Sequence, residues 1–127
     1  MEGTITKDKE IAEQIIFEQT LQPLIGVELA ERCPLTGRIT TVTMTCPVGG
    51  DNVVQVAFGH GSKKLCPTND YIPLHGDSPP FTDINEPVGM NERLWCEILN
   101  GDDTYPHLVT VAVIIVGKYG GGVGEEF

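Results

Sequence analysis

Residues 92–118 read ERLWCEILNGDDTYPHLVTVAVIIVGK and contain the strongest fold signal in the chain. Two apolar runs flank an acidic turn, and the second, Leu108 to Val116, is dominated by β-branched side chains. Because β-branched residues are stiff at χ1 and pack well on a pleated surface, this run predicts a strand. Only Thr110 interrupts its apolar character, so we expect both faces of the strand to be covered. Its nine residues are too few for a membrane-spanning helix, which needs about 20.

The segments before this strand carry period-two patterns. Residues 94–99 alternate in a way that favours a strand, and a short helix capped by Asn91 is the alternative. Residues 38–46 and 53–58 flank a link with two glycines, which together predict an antiparallel hairpin.

The middle of the chain is less regular. Short strands are expected at residues 63–66 and 71–74. The Pro-rich stretch at residues 75–89 reads as a long ordered loop, a kind of segment that often binds partners.

The N-terminal residues show a different pattern. Residues 1–6 read as a flexible lead, and residues 7–22 predict an amphipathic helix with an apolar stripe and acidic residues in its first turn. We expect Ile11, Ile15 and Phe17 to be the docking side chains of this helix, either on its own sheet or on a neighbouring subunit.

The C-terminal residues 117–127 form a Gly-rich arm, with five glycines between Gly117 and Gly124. A segment of this composition gains order only by contact with its own domain or with another chain. Tyr119, Val123 and Phe127 are therefore the predicted docking side chains of the arm.

Length and charge bound the class of protein. A chain of 127 residues is expected to form a single domain, 1–127, with a β-rich core at residues 38–116. The formal net charge of −10 would repel nucleic-acid phosphates and anionic lipid, so we expect no direct nucleic-acid or membrane partner. No leader or anchor pattern opens the chain, which favours a cytoplasmic or virion location over secretion.

The four cysteines suggest a metal site only as an alternative. Three of them precede proline, and the motif resembles half of a CPxCG zinc knuckle, but close pairs are lacking. Buried reduced thiols are the expected state, and a thiol-metal domain is the alternative for Cys33, Cys46, Cys66 and Cys96. The acidic turn at residues 101–103 suits a tight turn, and a weak calcium site there is conceivable.

The segment from Gly59 to Lys64 is the best candidate for ligand binding. Its glycines and lysines could form an anion nest, although the P-loop spacing is absent. The candidate residues are His60, Ser62, Lys63 and Lys64. A nucleophile–base pair of one of the three histidines, His60, His75 or His107, with Cys66 or Ser62 is the corresponding enzyme hypothesis, but no spacing supports it.

These observations favour a mainly β protein, an antiparallel sandwich or small barrel, with an N-terminal amphipathic helix; an α+β fold is the alternative. Weak catalytic signals and extended termini point to a non-enzymatic assembly subunit without a cofactor. Its predicted partners are copies of itself or other structural chains, as in a virion capsid, decoration or tail component. The alternatives are a small phosphate-binding domain or enzyme and a zinc domain.

Overall fold

The computed structural model describes residues 9–46, 53–68, 70–74 and 80–119. Within these residues the chain forms strands and no helix, which confirms the mainly β prediction. None of the described residues forms a helix long and apolar enough to cross a membrane. The strands are β1 (Ile11–Leu21), β2 (Gly26–Arg32), β3 (Thr36–Thr45), β4 (Val54–His60), β5 (Lys63–Cys66), β6 (Ile72–Leu74), β7 (Glu86–Val88), β8 (Arg93–Asn100) and β9 (His107–Lys118).

The strands form two antiparallel sheets around a shared core. The first sheet has the order β1-β9-β3-β7, and the second has the order β2-β8-β4-β5 with β6 paired to β4. Alternate residues of the long strands point inward, as the period-two patterns predicted. The most completely buried side chains come from both sheets and include Leu21, Ile39, Met44, Val56, Phe58, Leu94, Ile98 and Ile115.

The helix predicted over residues 7–22 is wrong for its described part, because residues 11–21 form β1. Every residue of β1 pairs with β9 in an unbroken antiparallel register, from Ile11 opposite Gly117 to Leu21 opposite His107. Ile11 and Ile15 are four residues apart, a spacing that puts them on one side of a helix and also on one face of a strand. Phe17 and Leu21 are buried on that same strand face, which a strand pattern explains.

The predicted hairpin of residues 38–46 and 53–58 is also wrong, although its two strands are present. β3 lies in the first sheet and β4 in the second, so these consecutive strands do not pair. The acidic turn after β8 likewise crosses between sheets, since β9 pairs with β1 and β3. Period-two alternation fixes which face of a strand is buried, but it does not fix which strand lies beside it.

Strand β9 differs from expectation in its burial and in its C-terminal end. Only one face of β9 is fully buried, while the other is half-buried and leaves Leu108 40% exposed, so the prediction of two covered faces is wrong. The strand also extends through Gly117 and Lys118, the first two residues of the predicted arm. Gly117 faces Gly37 of β3, where a Cβ on Gly37 would lie 2.6 Å from the Gly117 Cα. Glycine is required there because the two backbones approach so closely.

Candidate functional site

The predicted anion loop is a tight hairpin between β4 and β5. Its turn residues are Gly61 and Ser62, and Gly61 has a positive φ of 55°, a region that glycine enters without steric cost. The Gly61 N–H donates to the Arg93 carbonyl at 2.8 Å, and the Trp95 indole N–H donates to the Gly61 carbonyl at 2.9 Å. The main-chain groups of Gly61 therefore hold the turn against β8.

His60 lies in a charged cluster between the two sheets, which we call the inter-sheet charge cluster: His60, Lys63, Glu86 and Glu92. The His60 Nδ1 is 2.5 Å from Glu92 Oε2, and its Nε2 is 2.7 Å from Glu86 Oε2. Lys63 Nζ lies 2.9 Å from the same Glu86 oxygen. Because Glu86 belongs to β7 and His60 to β4, the cluster joins one sheet to the other.

The carboxylates decide the charge of His60. Burial alone would lower the pKa of His60, but the hydrogen bonds to Glu92 and Glu86 together raise it. Hydrogen bonds from Lys63 and His60 lower the pKa of Glu86. Burial opposes a lower pKa at Glu92, but the bonds from His60 and the Gly89 N–H outweigh it. A charged imidazole with both nitrogens bonded to carboxylates has no basic nitrogen to offer a substrate.

The other residues of the predicted anion site are placed as follows. Ser62 is exposed in the turn. Lys64 lies over the Tyr71 ring, 4.2 Å from its centroid, in a cation–π contact. The structure thus brings His60 and Lys63 together, because both contact Glu86. The two glutamates of the cluster balance its two basic residues. Lys64 has a different partner.

The four cysteines are buried and free. In the portion of the chain that the structure describes, no group of three or more His, Cys, Asp or Glu side chains is placed to hold a metal ion. Burial raises the pKa of Cys66 and of Cys96 to about 12, which keeps both as thiols.

Cys46 forms a constellation with His107 and Asp102 that the sequence analysis missed. The Cys46 Sγ is 3.9 Å from His107 Nδ1, and His107 Nε2 is 2.9 Å from Asp102 Oδ2. The order thiol, imidazole, carboxylate is that of a nucleophilic cysteine site. The Cys46 side chain is fully buried, however, and burial raises its pKa, so this thiol is packed rather than activated.

Asp102 organises the turn that follows β8. The hydrogen bond to His107, with the Thr104 and Tyr105 N–H groups, lowers the pKa of Asp102. Its Oδ1 accepts from those two N–H groups at 2.8 and 3.1 Å. Both carboxylate oxygens of Asp102 thus bind groups of the protein, in the manner expected of an Asx turn.

Buried Asn100 connects the loops at the same end of the sandwich. Its Nδ2 lies 3.0 Å from the Leu21 carbonyl, 3.3 Å from the Gln22 carbonyl and 3.1 Å from the Tyr105 carbonyl. Its Oδ1 accepts from the Asp102 N–H at 2.9 Å. One side chain therefore fixes the β1–β2 turn relative to the β8–β9 loop.

Around Asn100 lies a group of exposed apolar side chains, which we call the apolar tip: Leu24, Ile25, Val53, Leu99 and Tyr105. The backbones of three of them are hydrogen-bonded to residues 100–102: Leu24 N–H to the Asp102 carbonyl, Asn100 N–H to the Ile25 carbonyl, and Gly101 N–H to the Val53 carbonyl. Leu24 is 63% exposed and Tyr105 is 66% exposed. Groups of exposed apolar side chains are typical of interaction sites.

Leu24 also has an unusual backbone conformation. Its φ is 61°, in the left-handed region that is unfavourable for a branched, bulky residue. The usual occupants of such a position are Gly, Asn and Asp. Leu24 occupies this position, and its side chain is exposed. Residues with strained backbone conformations of this type concentrate at functional sites.

The predicted docking residues of the N-terminal segment pack inside their own subunit. Phe17 is 3% exposed and belongs to the core, and Ile11 and Ile15 pack against that core. In β1 the exposed large side chain is Ile16 instead. Of the predicted arm residues, Tyr119 is exposed and its hydroxyl donates to Glu13 at 2.8 Å, while Val123 and Phe127 lie outside the described residues.

The apolar tip has a sequence signal that was not used. Leu24 and Ile25 follow a proline within a short turn, and Tyr105 lies in an acidic turn. Large apolar residues at positions where turn chemistry calls for polar ones indicate a role other than turn formation.

Comparison with solved structures finds weak likeness to several proteins, with TM-scores below 0.5. The chain is 19% identical to the protein described as FLHE, with a TM-score of 0.48 over 87% of this chain and 98% of that one. It is 15% identical to a chain of the cyanophage Pam1 capsid asymmetric unit, with a TM-score of 0.48 over 86% and 84% of the two chains. It is 13% identical to the major capsid protein P2 of bacteriophage PM2, with a TM-score of 0.46 over 88% of this chain and 47% of that one.

Viral capsid proteins are thus among the structural neighbours, at identities and TM-scores that identify no family. No family model matches the chain, and no curated protein matches it.

Proposed function

We propose that this protein is a structural subunit of a larger assembly, such as a virion capsid, decoration or tail component. The observation that carries the proposal is the apolar tip, where Leu24 and Tyr105 expose about two thirds of their surface on a fixed frame. Neither a catalytic role nor a cofactor is part of the proposal. The partners are further copies of the chain or other structural chains of the assembly.

The tip is suited to docking because it is already ordered. Asn100 and the backbone bonds at residues 100–102 fix the turns that present Leu24 and Tyr105. Binding through a preorganised apolar surface avoids much of the entropy cost of ordering loops at an interface. The strained backbone of Leu24 supports the same role, since a glycine or asparagine would form the turn at lower cost.

The charge of the chain sets a condition on assembly. Copies that each carry a net charge of −10 repel one another, so association between them should strengthen as salt screens the repulsion. Assembly with a basic partner chain would show the opposite dependence on salt, because salt would then screen an attraction. The salt response therefore separates the two kinds of partner.

The test is sedimentation velocity on the full chain over a range of concentrations, comparing wild type with the double variant Leu24→Asn, Tyr105→Ser. We expect the wild type to form larger species that the double variant loses. Leu108→Asn is the matched control, because Leu108 is also exposed but lies on the sheet face and not at the tip. Equal size distributions for wild type and tip variant would overturn the proposed role of the tip.

A further inference from the structure

The open edge of β1 is the feature that carries a further inference. β1 is the outer strand of the first sheet, and in the described chain its pairing partner is β9 alone. Its 11 residues run without a bulge along their whole register with β9. The opposite side of β1 therefore presents a long, regular row of backbone donors and acceptors.

The other three sheet edges are shorter than β1, and two of them carry features that prevent edge-to-edge pairing. β7 has three residues, one of them proline. β5 has four residues, begins with two lysines and has a register shift. β2 has seven residues, three of them charged. Short length, proline, lysine and bulges are the usual means of preventing edge-to-edge pairing, and β1 has none of them.

The sequence of β1, IAEQIIFEQTL, is self-complementary about Ile16. In an antiparallel pair of two β1 strands centred on Ile16, the large apolar residues face one another, each glutamate faces a glutamine, and Ala12 faces Thr20. The pairs are Ile11 with Leu21, Ala12 with Thr20, Glu13 with Gln19, Gln14 with Glu18, Ile15 with Phe17, and Ile16 with itself. Like charges directly opposite each other destabilise a sheet, and this register has none.

We infer that β1 pairs with β1 of a second copy of this chain across a two-fold axis at Ile16, which joins two four-stranded sheets into one of eight strands. The occupant of the edge is a second copy because the strand complements itself in both charge and apolar character. Ile16, which is 54% exposed, then meets its symmetry mate on the outer face. The inference extends the proposed function by naming one partner, a second copy of the chain. The biological role of this pairing rests on the proposed function.

Cysteine cross-linking tests the register directly on the full chain. Ile16→Cys places two thiols opposite each other at the axis, so mild oxidation should give a disulfide-linked dimer. Thr20→Cys is the matched control, because eight residues along the strand separate the two copies of position 20, about 26 Å. A mixture of Gln14→Cys and Glu18→Cys chains should cross-link with each other, and neither should cross-link alone. The four native cysteines are buried and give little background.

Charge substitution provides a second readout by analytical ultracentrifugation. Gln14→Lys faces Glu18 of the partner twice per dimer and should tighten the dimer, whereas Gln14→Glu should weaken it, each by roughly 2- to 30-fold in Kd. Thr68→Lys and Thr68→Glu make the same changes in net charge on an exposed loop after β5, at the far edge of the second sheet. These two controls should shift the dimer Kd much less than the Gln14 pair.

The outcomes separate this inference from the proposed function. A dimer that cross-links at position 16, persists in the tip double variant and follows the Gln14 charges supports the edge pairing, even if no larger assembly forms. A chain that stays monomeric at all concentrations overturns the edge pairing. Equal cross-linking at positions 16 and 20 also overturns the edge pairing. Larger species that do not respond to any β1 substitution overturn it as well, but they leave the proposed role of the apolar tip in place.

Discussion

Replacing Asn100 by aspartate should destabilise the domain strongly, because the change keeps the shape of the side chain and removes its donors. The Nδ2 group faces three carbonyl oxygens, those of Leu21, Gln22 and Tyr105, at 3.0 to 3.3 Å. An aspartate oxygen at that position would have carbonyl oxygens as its nearest neighbours and could donate nothing to them.

The magnitude follows from the bonds that are lost. Two N–H groups serve the three carbonyls, and each buried acceptor left without a donor costs about 1–3 kcal/mol. Two such losses give roughly 2–6 kcal/mol, a large share of the 5–15 kcal/mol that is typical of a domain. At about 3–5 °C per kcal/mol for a chain of this length, the melting temperature should fall by roughly 6–30 °C.

Urea unfolding, followed by Trp95 fluorescence at pH 7 and pH 5, measures the effect. Asn85→Asp is the matched control, since Asn85 is exposed outside the strands and the same substitution there should change stability by less than about 0.5 kcal/mol. The loss at position 100 should shrink at low pH, where a protonated aspartate regains one donor. A stability within 0.5 kcal/mol of wild type for Asn100→Asp would refute the role assigned to Asn100.

Three further predictions concern stability and reactivity. The raised pKa of His60 contributes stability that is complete below 6.5, the ordinary pKa, and is lost as the pH rises from there through the higher pKa of the folded state. The lowered pKa values of Glu86 and Glu92 contribute stability that is complete above 4.5 and is lost as the pH falls from there through their lower folded-state values. The difference in unfolding free energy between wild type and His60→Gln should therefore be largest between those pH values, and a difference that does not change with pH would contradict the cluster geometry. The four buried thiols should react with a thiol reagent only as fast as the domain unfolds, measured against the same reaction in denaturant; fast native-state labelling would show that they are accessible. Gly37→Ala would place a Cβ 2.0 Å from the Val116 carbonyl oxygen, so thermal melting should show a loss of at least about 2 kcal/mol, while Gly89→Ala, with open space around it, should cost little.

The sequence predicted individual strands better than their partners. β3 follows from its period-two alternation, and β9 follows from its run of β-branched residues. β1 was mistaken for a helix because Ile11 and Ile15 satisfy both periods, and local propensity could not decide between them. Pairing with β9, which is distant in the chain, decided it instead.

Strand partners and the inter-sheet charge cluster depend on contacts distant in sequence. His60 was a candidate for its position in a Gly-rich loop, but Glu86 and Glu92 come from a different part of the chain. Nothing near His60 in the sequence indicates that both its nitrogens bond to carboxylates. The apolar tip is different, because Leu24 and Tyr105 stand out locally as apolar residues in turns.

Hydroxyl-radical footprinting of the full chain, assembled and dilute, tests the central claim most directly. If the apolar tip is the docking surface, oxidation of Leu24 and Tyr105 should fall several-fold in the assembled sample, while Leu108 on the sheet face stays as reactive as in the dilute one. Equal oxidation of Leu24 and Tyr105 in both samples would contradict the account, because it would show that the assembly forms without covering the tip.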